Sequence, residues 1–503
     1  MKAKRWAAII LLCLCTPVCA EIVPITFLHL NDLYEITPVA GGQQGGMARL
    51  ATLRKQLLKA NPRTYTILGG DCLSPSALGT AVVDGEKLAG RHMIAVMNTV
   101  GFDFATFGNH EFDVTREQFL RRIEESTFTW FSGNVVDAEG QPFPHVKPHV
   151  VFTATGESGG TVRIGLIGVT LDSNKAAWVR FHNPLDTAVQ QARELRGQVD
   201  ILIAVTHQSL EADQKLVAAA PEIDLVLGGH EHDNVQQWRG LRFAPIFKAD
   251  ANARSAYVLD LGYDTGQRRL VKMEPHFRKI TSALPEDHET AKVVQDWVER
   301  GYAAFRADGF QPDQAVANTP EALDGLEGTV RNGSGNLTDL IATAMWKAVP
   351  GADLAIFNGG MVRIDDVVPP GPITQYDVLR MIPFGGQVLR VDMRGDLLSK
   401  VLNQGRANRG KGGYLQTAGV ARRGDNWSVG GALLDPKLVY RVAILDFLMK
   451  GKEQGLEFLN EKIAGVEAIA PVTDIRFAVI EHMRAQWGAL SHTVKANTGP
   501  VWY

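Results

Sequence analysis

The sequence predicts an α/β fold in two domains: a layered N-terminal domain and a C-terminal α/β domain joined by a helical connector. Three observations carry this expectation. At 503 residues the chain exceeds what one compact core serves. From Ile22 to about Leu284, short β-rich apolar runs alternate with amphipathic helical periods, the rhythm of helices covering sheet faces. A charged stretch after Leu284-Pro285 interrupts that rhythm, and a second βα alternation with Gly-rich turns resumes from about Phe310.

The elements follow in order. Residues 22–30 read as a strand, and residues 47–58 as a helix with Met47, Leu50, Leu53 and Leu57 on one stripe. Residues 65–68 form a strand, 86–100 a helix and 104–107 a strand. Further strands fall at 162–169, 201–205 and 225–227. One helix, residues 290–305, fills most of the connector. The divisions are thus 21–284, 285–309 for the connector, and 310–503.

Residues 1–20 read as a signal peptide. Lys2, Lys4 and Arg5 make its basic start, Trp6 to Leu14 its apolar core, and Val18-Cys19-Ala20 a small-residue cleavage site. The expected location is periplasmic or secreted after cleavage near Ala20. The apolar run is too short for a membrane anchor, which needs roughly 20 residues, and no later run or C-terminal signal supplies one. Cleavage moves the formal charge from -3 to -6 and leaves Cys72 as the remaining cysteine, excluding an intramolecular disulfide. That charge also argues against nucleic acid as partner, since such binding calls for a basic face.

The chemistry concentrates at strand ends. Asn31-Asp32 closes the first strand, Gly69-Gly70-Asp71 the second, and Gly108-Asn109-His110-Glu111-Phe112-Asp113 the third. Thr206-His207-Gln208 and Gly228-Gly229-His230-Glu231-His232 close two later ones. Singly, each has a plain role as a turn residue, a cap or a satisfied buried histidine. Together they make a set of two carboxylates, one amide oxygen and three imidazoles at the edge where α/β sheets bind ligands. Such a mixed nitrogen and oxygen set suits paired Zn, Mn, Fe or Co ions, and an Asp able to bridge two ions roughly 3.5–4 Å apart is what a two-metal hydrolase needs. Cys72 and His29 read as structural.

The blocks LHLND, GGD, GNHEFD, THQ and GGHEH resemble those of the calcineurin-like metallophosphoesterases, and within them the 5'-nucleotidases. The resemblance implies an α/β/β/α sandwich for the first domain. It implies that Asp71 bridges two divalent ions, with Asp32 and His232 serving one and Asn109, His207 and His230 the other. His110, held by Asp113, would stabilise the phosphoryl transition state or protonate the leaving group while a metal-bound hydroxide attacks phosphorus. Where the family usually has Asp-x-His, this chain has Asp32-Leu33-Tyr34. Tyr34 either ligates a hard ion such as Fe(III), lines the site, or weakens that metal position; lining the site is the preferred reading.

Four later stretches match the family's substrate domain: 330–337, 358–363, 383–386 and 445–448. By position, Arg331 and Arg363 would bind phosphate, Asn358 would hydrogen-bond the ligand, and Phe384 and Phe447 would sandwich the base. Glu453 stands where the family has an Asp and would accept a ribose hydroxyl. The expected activity is release of phosphate from nucleoside 5'-phosphates. A 2',3'-cyclic nucleotide phosphodiesterase or UDP-sugar hydrolase with the same site is the near alternative. A non-catalytic nucleotide-binding protein with a degenerate metal site, or a surface adhesion protein, is the alternative of another class. By analogy, the connector is where a hinge between the domains would lie.

Overall fold

The computed structural model describes residues 20–173 and 176–488. Residues 1–19 of the expected leader, which runs to Ala20, and the C-terminal Trp502-Tyr503 lie outside these.

The first strand, Ile22–Leu30, is buried along almost its whole length because both of its faces are covered. Val23, Ile25 and Phe27 point one way and Leu28 and Leu30 the other, as the two-residue strand period dictates. The strand pairs in parallel with Thr64–Leu68 and antiparallel with Ser255–Asp264. These lie in a seven-stranded sheet ordered Val146–Lys147, Thr129–Phe131, Phe104–Ala105, Thr64–Leu68, Ile22–Leu30, Ser255–Asp264, Arg269–Lys279. A six-stranded sheet runs His149–Thr155, Thr161–Thr170, Ile201–His207, Leu225–Gly229, Ala244–Lys248, Val235–Arg239.

Val23, Ile25, Phe27, Tyr257 and Leu259 of the first sheet form one core with Ile164, Ile203 and Leu225 of the second. On the outer side of the first sheet, Leu28 and Leu30 share a core with Met47 and Leu50 of the helix Met47–Ala60 and Met93 of Arg91–Val100. On the outer side of the second, Leu202 and Val226 meet Ala188 and Ala192 of Pro184–Arg196 and Leu216 of Leu210–Ala219. The domain is an α/β/β/α sandwich.

One expected element differs. Residues 86–100 read as a single helix, but Glu86–Lys87 pairs with Val82–Val83 in a hairpin and the helix is Arg91–Val100. Asp84 and Gly85 turn that hairpin with φ 57° and 83°, and Gly90 at φ 82° starts the helix. Asp-Gly favours this turn because both residues tolerate left-handed backbone.

The connecting helix runs His288–Ala307, earlier than expected because the Asp287 side chain accepts from the Thr290 amide at 3.0 Å and caps it. It is more than a tether. Val294, Trp297 and Val298 bury against the helices Met47–Ala60 and Arg91–Val100, while Tyr302 lies 5.0 Å from Tyr376 of the C-terminal domain.

The C-terminal domain is built on a five-stranded sheet ordered Leu415–Ala418, Leu354–Asn358, Val439–Leu445, Gln387–Arg394, Val466–Asp474. Helices Asn336–Ala348 and Ile475–Trp487 cover one face and Gly395–Ala407 the other. The domains meet through charged side chains. Glu35, buried beside the first strand end, accepts from Tyr376 Oη at 3.2 Å and Arg380 Nε at 3.2 Å, and Arg254 donates to Asp366 at 2.9 Å.

The layer between the sheets sets the domain's stability. Phe27→Ala, at a fully buried side chain in that layer, is expected to cost about 3–5 kcal/mol. Urea unfolding followed by tryptophan fluorescence measures it; an unchanged midpoint would contradict this packing.

Candidate metal centre and active site

Asp32, Asp71 and Asn109 follow parallel strands of the first sheet, while His207 ends a parallel strand of the second and His230 and His232 follow its neighbour. Packing the sheets face to face therefore brings the two sets of strand ends together. Asp32 (φ 55°), Asp71 (φ 60°), His230 (φ 92°) and His232 (φ 59°) all adopt left-handed backbone. Each such residue costs of order 1–3 kcal/mol, a strain typical of functional sites. Gly70, at φ 87°, permits the close approach, since a Cβ there would lie 2.6 Å from both the Gly108 nitrogen and His207 Nδ1.

The tightest group is Asp32, Asp71 and His207, whose ligand atoms lie within 4.8 Å of one another, all buried. His207 donates from Nδ1 to the Gly69 carbonyl at 2.8 Å, which turns Nε2 toward Asp71 Oδ2 at 3.2 Å. This is how proteins fix the tautomer of a ligating histidine. His232 is held in the same manner: Nδ1 pairs with Asp365 of the C-terminal domain, and Nε2 lies 3.1 Å from Asp32 Oδ1. The His230 ring stands 5.4 Å from that of His207. Asp32 Oδ2 accepts from Asn31 Nδ2 at 2.7 Å and the His230 amide at 3.0 Å, while Asp71 Oδ1 accepts from the His110 amide at 2.8 Å.

Charges in the cluster shift one another. Burial disfavours ionised Asp32, but His232 and His207 outweigh it and hold the carboxyl below its ordinary range. Burial likewise opposes the charged form of His207, and Asp71 and Asp32 overcome that and push it up to about 9. His230 goes the other way, to about 3, through burial and the neighbouring His207.

The donors fit a cation. Asn109 Oδ1 is buried and finds no hydrogen-bond partner among the described residues. A buried unsatisfied atom costs roughly 1–3 kcal/mol, and ligation offsets that cost. Asp32, Asp71 and His207 are the residues whose ligand atoms the fold brings close enough together to hold a cation.

Tyr34 does more than line the site. Its hydroxyl lies 3.0 Å from Asp32 Oδ1, Asp71 Oδ2 and His232 Nε2. Burial, with Asp32 and Asp71 beside it, pushes the phenol well above its ordinary 10.

Three supporting residues escaped the sequence reading. Glu111 accepts from the amides of Asp71 (2.9 Å), Cys72 (2.6 Å), Leu73 (3.2 Å) and Gly108 (2.5 Å), clamping the turn that carries Asp71. Lys248, fully buried, donates to the Gln208 and Gly229 carbonyls at 2.6 and 2.8 Å and pairs with Asp213 at 2.9 Å and with Glu231. A lysine ending an apolar strand was its signal. Asp365 had none, because its partner lies in the other domain. Cys72 and His29 are buried as expected, with His29 Nε2 2.9 Å from the Gly228 carbonyl.

In the C-terminal domain, Asn358 ends one strand, Phe447 follows another and Phe384 precedes a third, all at one end of the sheet. Phe384 and Phe447 are 51% and 36% exposed, unusual for phenylalanine and suited to stacking. Asn358 Nδ2 donates to Glu453 at 2.9 Å, and Arg331 pairs with Glu327 at 2.5 Å. The Arg363 guanidinium lies 5.8 Å from the Phe384 ring centre and lines a cleft with Tyr34, Glu35 and Arg380.

His110 Nδ1 lies 2.6 Å from Asp113 Oδ2. Burial lowers the imidazolium's stability, but Asp71 and Asp113 more than compensate and raise His110 above its ordinary 6.5. Imidazolium therefore persists to higher pH than in a free histidine. Asp113→Asn removes one of the two carboxylates, so the His110 midpoint, followed by NMR of its ring protons, is expected to move to lower pH.

Comparison with known proteins agrees with this layout. Residues 25–234, which include all six candidate ligands, match the calcineurin-like phosphoesterase family model, and residues 315–461 match the 5'-nucleotidase C-terminal domain. Protein UshA of Yersinia enterocolitica is 28% identical over 488 residues, 84% of each chain. A 5'-nucleotidase of Vibrio cholerae is 26% identical over 491 residues, 85% of each. The crystal structure of a 5'-nucleotidase precursor from Thermus thermophilus shares the fold at a TM-score of 0.73 and 21% identity, covering 92% of this chain and 97% of that one. With both domain models matched in order along one chain, the protein belongs to the 5'-nucleotidase family of calcineurin-like metallophosphoesterases, hydrolases of phosphate esters.

Proposed function

We propose that the chain hydrolyses nucleoside 5'-phosphates to nucleoside and phosphate in a metal-dependent reaction, in an exported compartment as the leader sequence implies. The observation that carries this reading is the meeting of the two domains at one cleft: Arg363 lines it beside Tyr34, and its positive charge acts on His110. A phosphate between Arg363 and His110 faces charge from both domains.

The strand-end ligands would hold a cation, which when bound would supply Lewis acidity to the phosphoryl oxygens. The chain's own groups do the rest. Arg363 and Arg331 present planar guanidinium donors that match phosphate oxygens. His110, whose imidazolium Asp71 and Asp113 favour, is placed to offset the negative charge that develops on the phosphoryl group and, when protonated, to give its proton to the leaving oxygen. Phe384 and Phe447 offer exposed faces for a base, worth roughly 1–3 kcal/mol per stacked base. Glu453 and Asn358, already bonded to each other, present an acceptor pair for sugar hydroxyls.

Kinetics on AMP, 2',3'-cyclic AMP and UDP-glucose test the substrate class. The reading expects AMP to be turned over best; a clear preference for the cyclic diester or the sugar nucleotide replaces it. His110→Ala is expected to lower kcat by roughly 10²–10⁴-fold, the range for a positioned acid, with metal content unchanged. Arg363→Ala is expected to raise KM for AMP about 10- to 150-fold, the equivalent of a charged hydrogen bond of roughly 1.5–3 kcal/mol. If His110→Ala left turnover intact, its assignment would be wrong.

A further inference from the structure

The two halves of the ligand cluster are in unlike states. On the side of Asn109 and His207, Asn109 Oδ1 is buried without a hydrogen-bond partner among the described residues, and His207 Nε2 is buried with Asp71 Oδ2 at 3.2 Å. On the side of Asp32 and His232, the corresponding atoms converge on a single oxygen, Tyr34 Oη, which is 3.0 Å from Asp32 Oδ1, Asp71 Oδ2 and His232 Nε2. An ion serving those atoms needs its ligands roughly 2.0–2.2 Å away, so it must occupy the region where the phenol oxygen stands.

Tyr34 is not poised to leave. It is 7% exposed, its amide donates to Asn252 Oδ1 at 3.1 Å, and the Leu33 amide donates to the Asp71 carbonyl at 2.7 Å. Its ring lies edge-on to His232 at 5.3 Å and to His110 at 6.4 Å, so swinging outward breaks contacts on both sides. A neutral hydroxyl donates its one proton to either carboxylate and accepts from a protonated His232 Nε2, so a protein oxygen fills the space between these three groups.

We infer that this chain keeps a single resident cation, held by Asp71, Asn109, His207 and His230, and that the Tyr34 hydroxyl takes the place of a second. The inference rests on the metal-dependent reading above and specifies its ion count. The purified protein, stripped with chelator and saturated with Mn(II), tests it after desalting. Elemental analysis counts the ions, and electron paramagnetic resonance distinguishes an isolated Mn(II) from a spin-coupled pair.

Wild type is expected to hold one Mn per chain with the spectrum of an isolated ion. Tyr34→His is expected to hold two, with a coupled spectrum. Tyr34→Phe keeps the ring packing and removes only the oxygen; it is expected to gain a second, weaker ion, and it carries the test should Tyr34→His fail to fold. Two ions in wild type overturn the inference. So does a single ion in folded Tyr34→His, because the tyrosine is then not what excludes the second. Failure of every form to bind Mn overturns the metal-dependent reading itself, an outcome distinct from either of these.

Discussion

The placement of one carboxylate governs the site. Asp71 lies in left-handed backbone and shares its oxygens among the His110 amide, the Tyr34 hydroxyl and His207. A conformation that costs free energy persists only when its surroundings over-determine it. Glu111 supplies that constraint by collecting four backbone N–H groups around the turn, and burial together with Asp71 raises its own carboxyl to about 7. Lys248 performs the same service on the facing sheet, tying the turns after His207 and Gly229 to a buried carboxylate. The ligand cluster thus sits on two independently braced edges, one from each sheet.

Much of this was legible in the sequence, for a physical reason. Apolar runs that end abruptly in Gly and polar residues mark both a strand and its functional edge, so the polar strand-end groups were visible from spacing and residue type, whereas the choice of Asp32, Asp71, Asn109, His207, His230 and His232 among them rested on the resemblance. Division of the strands between two sheets was not legible, because pairing depends on contacts far apart in sequence, such as Ile22 with Asp264. The hairpin at Glu86–Lys87 was hidden by a helical apolar stripe, although Asp84-Gly85 announced a turn. Glu111 stood within a recognised block, yet its task as an acceptor of backbone amides appears only once the turn is folded.

Tyr34 marks the limit of resemblance. A one-residue departure from a motif could be read as a ligand, a wall or a weakened position, and sequence favoured the wall. Its side chain instead reaches the centre of three donor atoms. The aromatic pair in the other domain shows the opposite case: Phe384 and Phe447 carry no distinctive signal by themselves, and their exposure at the end of a sheet separates them from ordinary core residues.

Asp365 belongs to the C-terminal domain, yet it holds the imidazole of His232 in the N-terminal one. The same contact is therefore counted twice, once in the energy of the domain junction and once in the preorganisation of the cluster around Asp32. Thermodynamic linkage makes the two inseparable: whatever binds the cluster more tightly when Asp365 is in place stabilises this arrangement of the domains, and the arrangement strengthens that binding by the same factor. A side chain remote from the reacting phosphate thereby sets an exchange rate between domain position and ligand affinity.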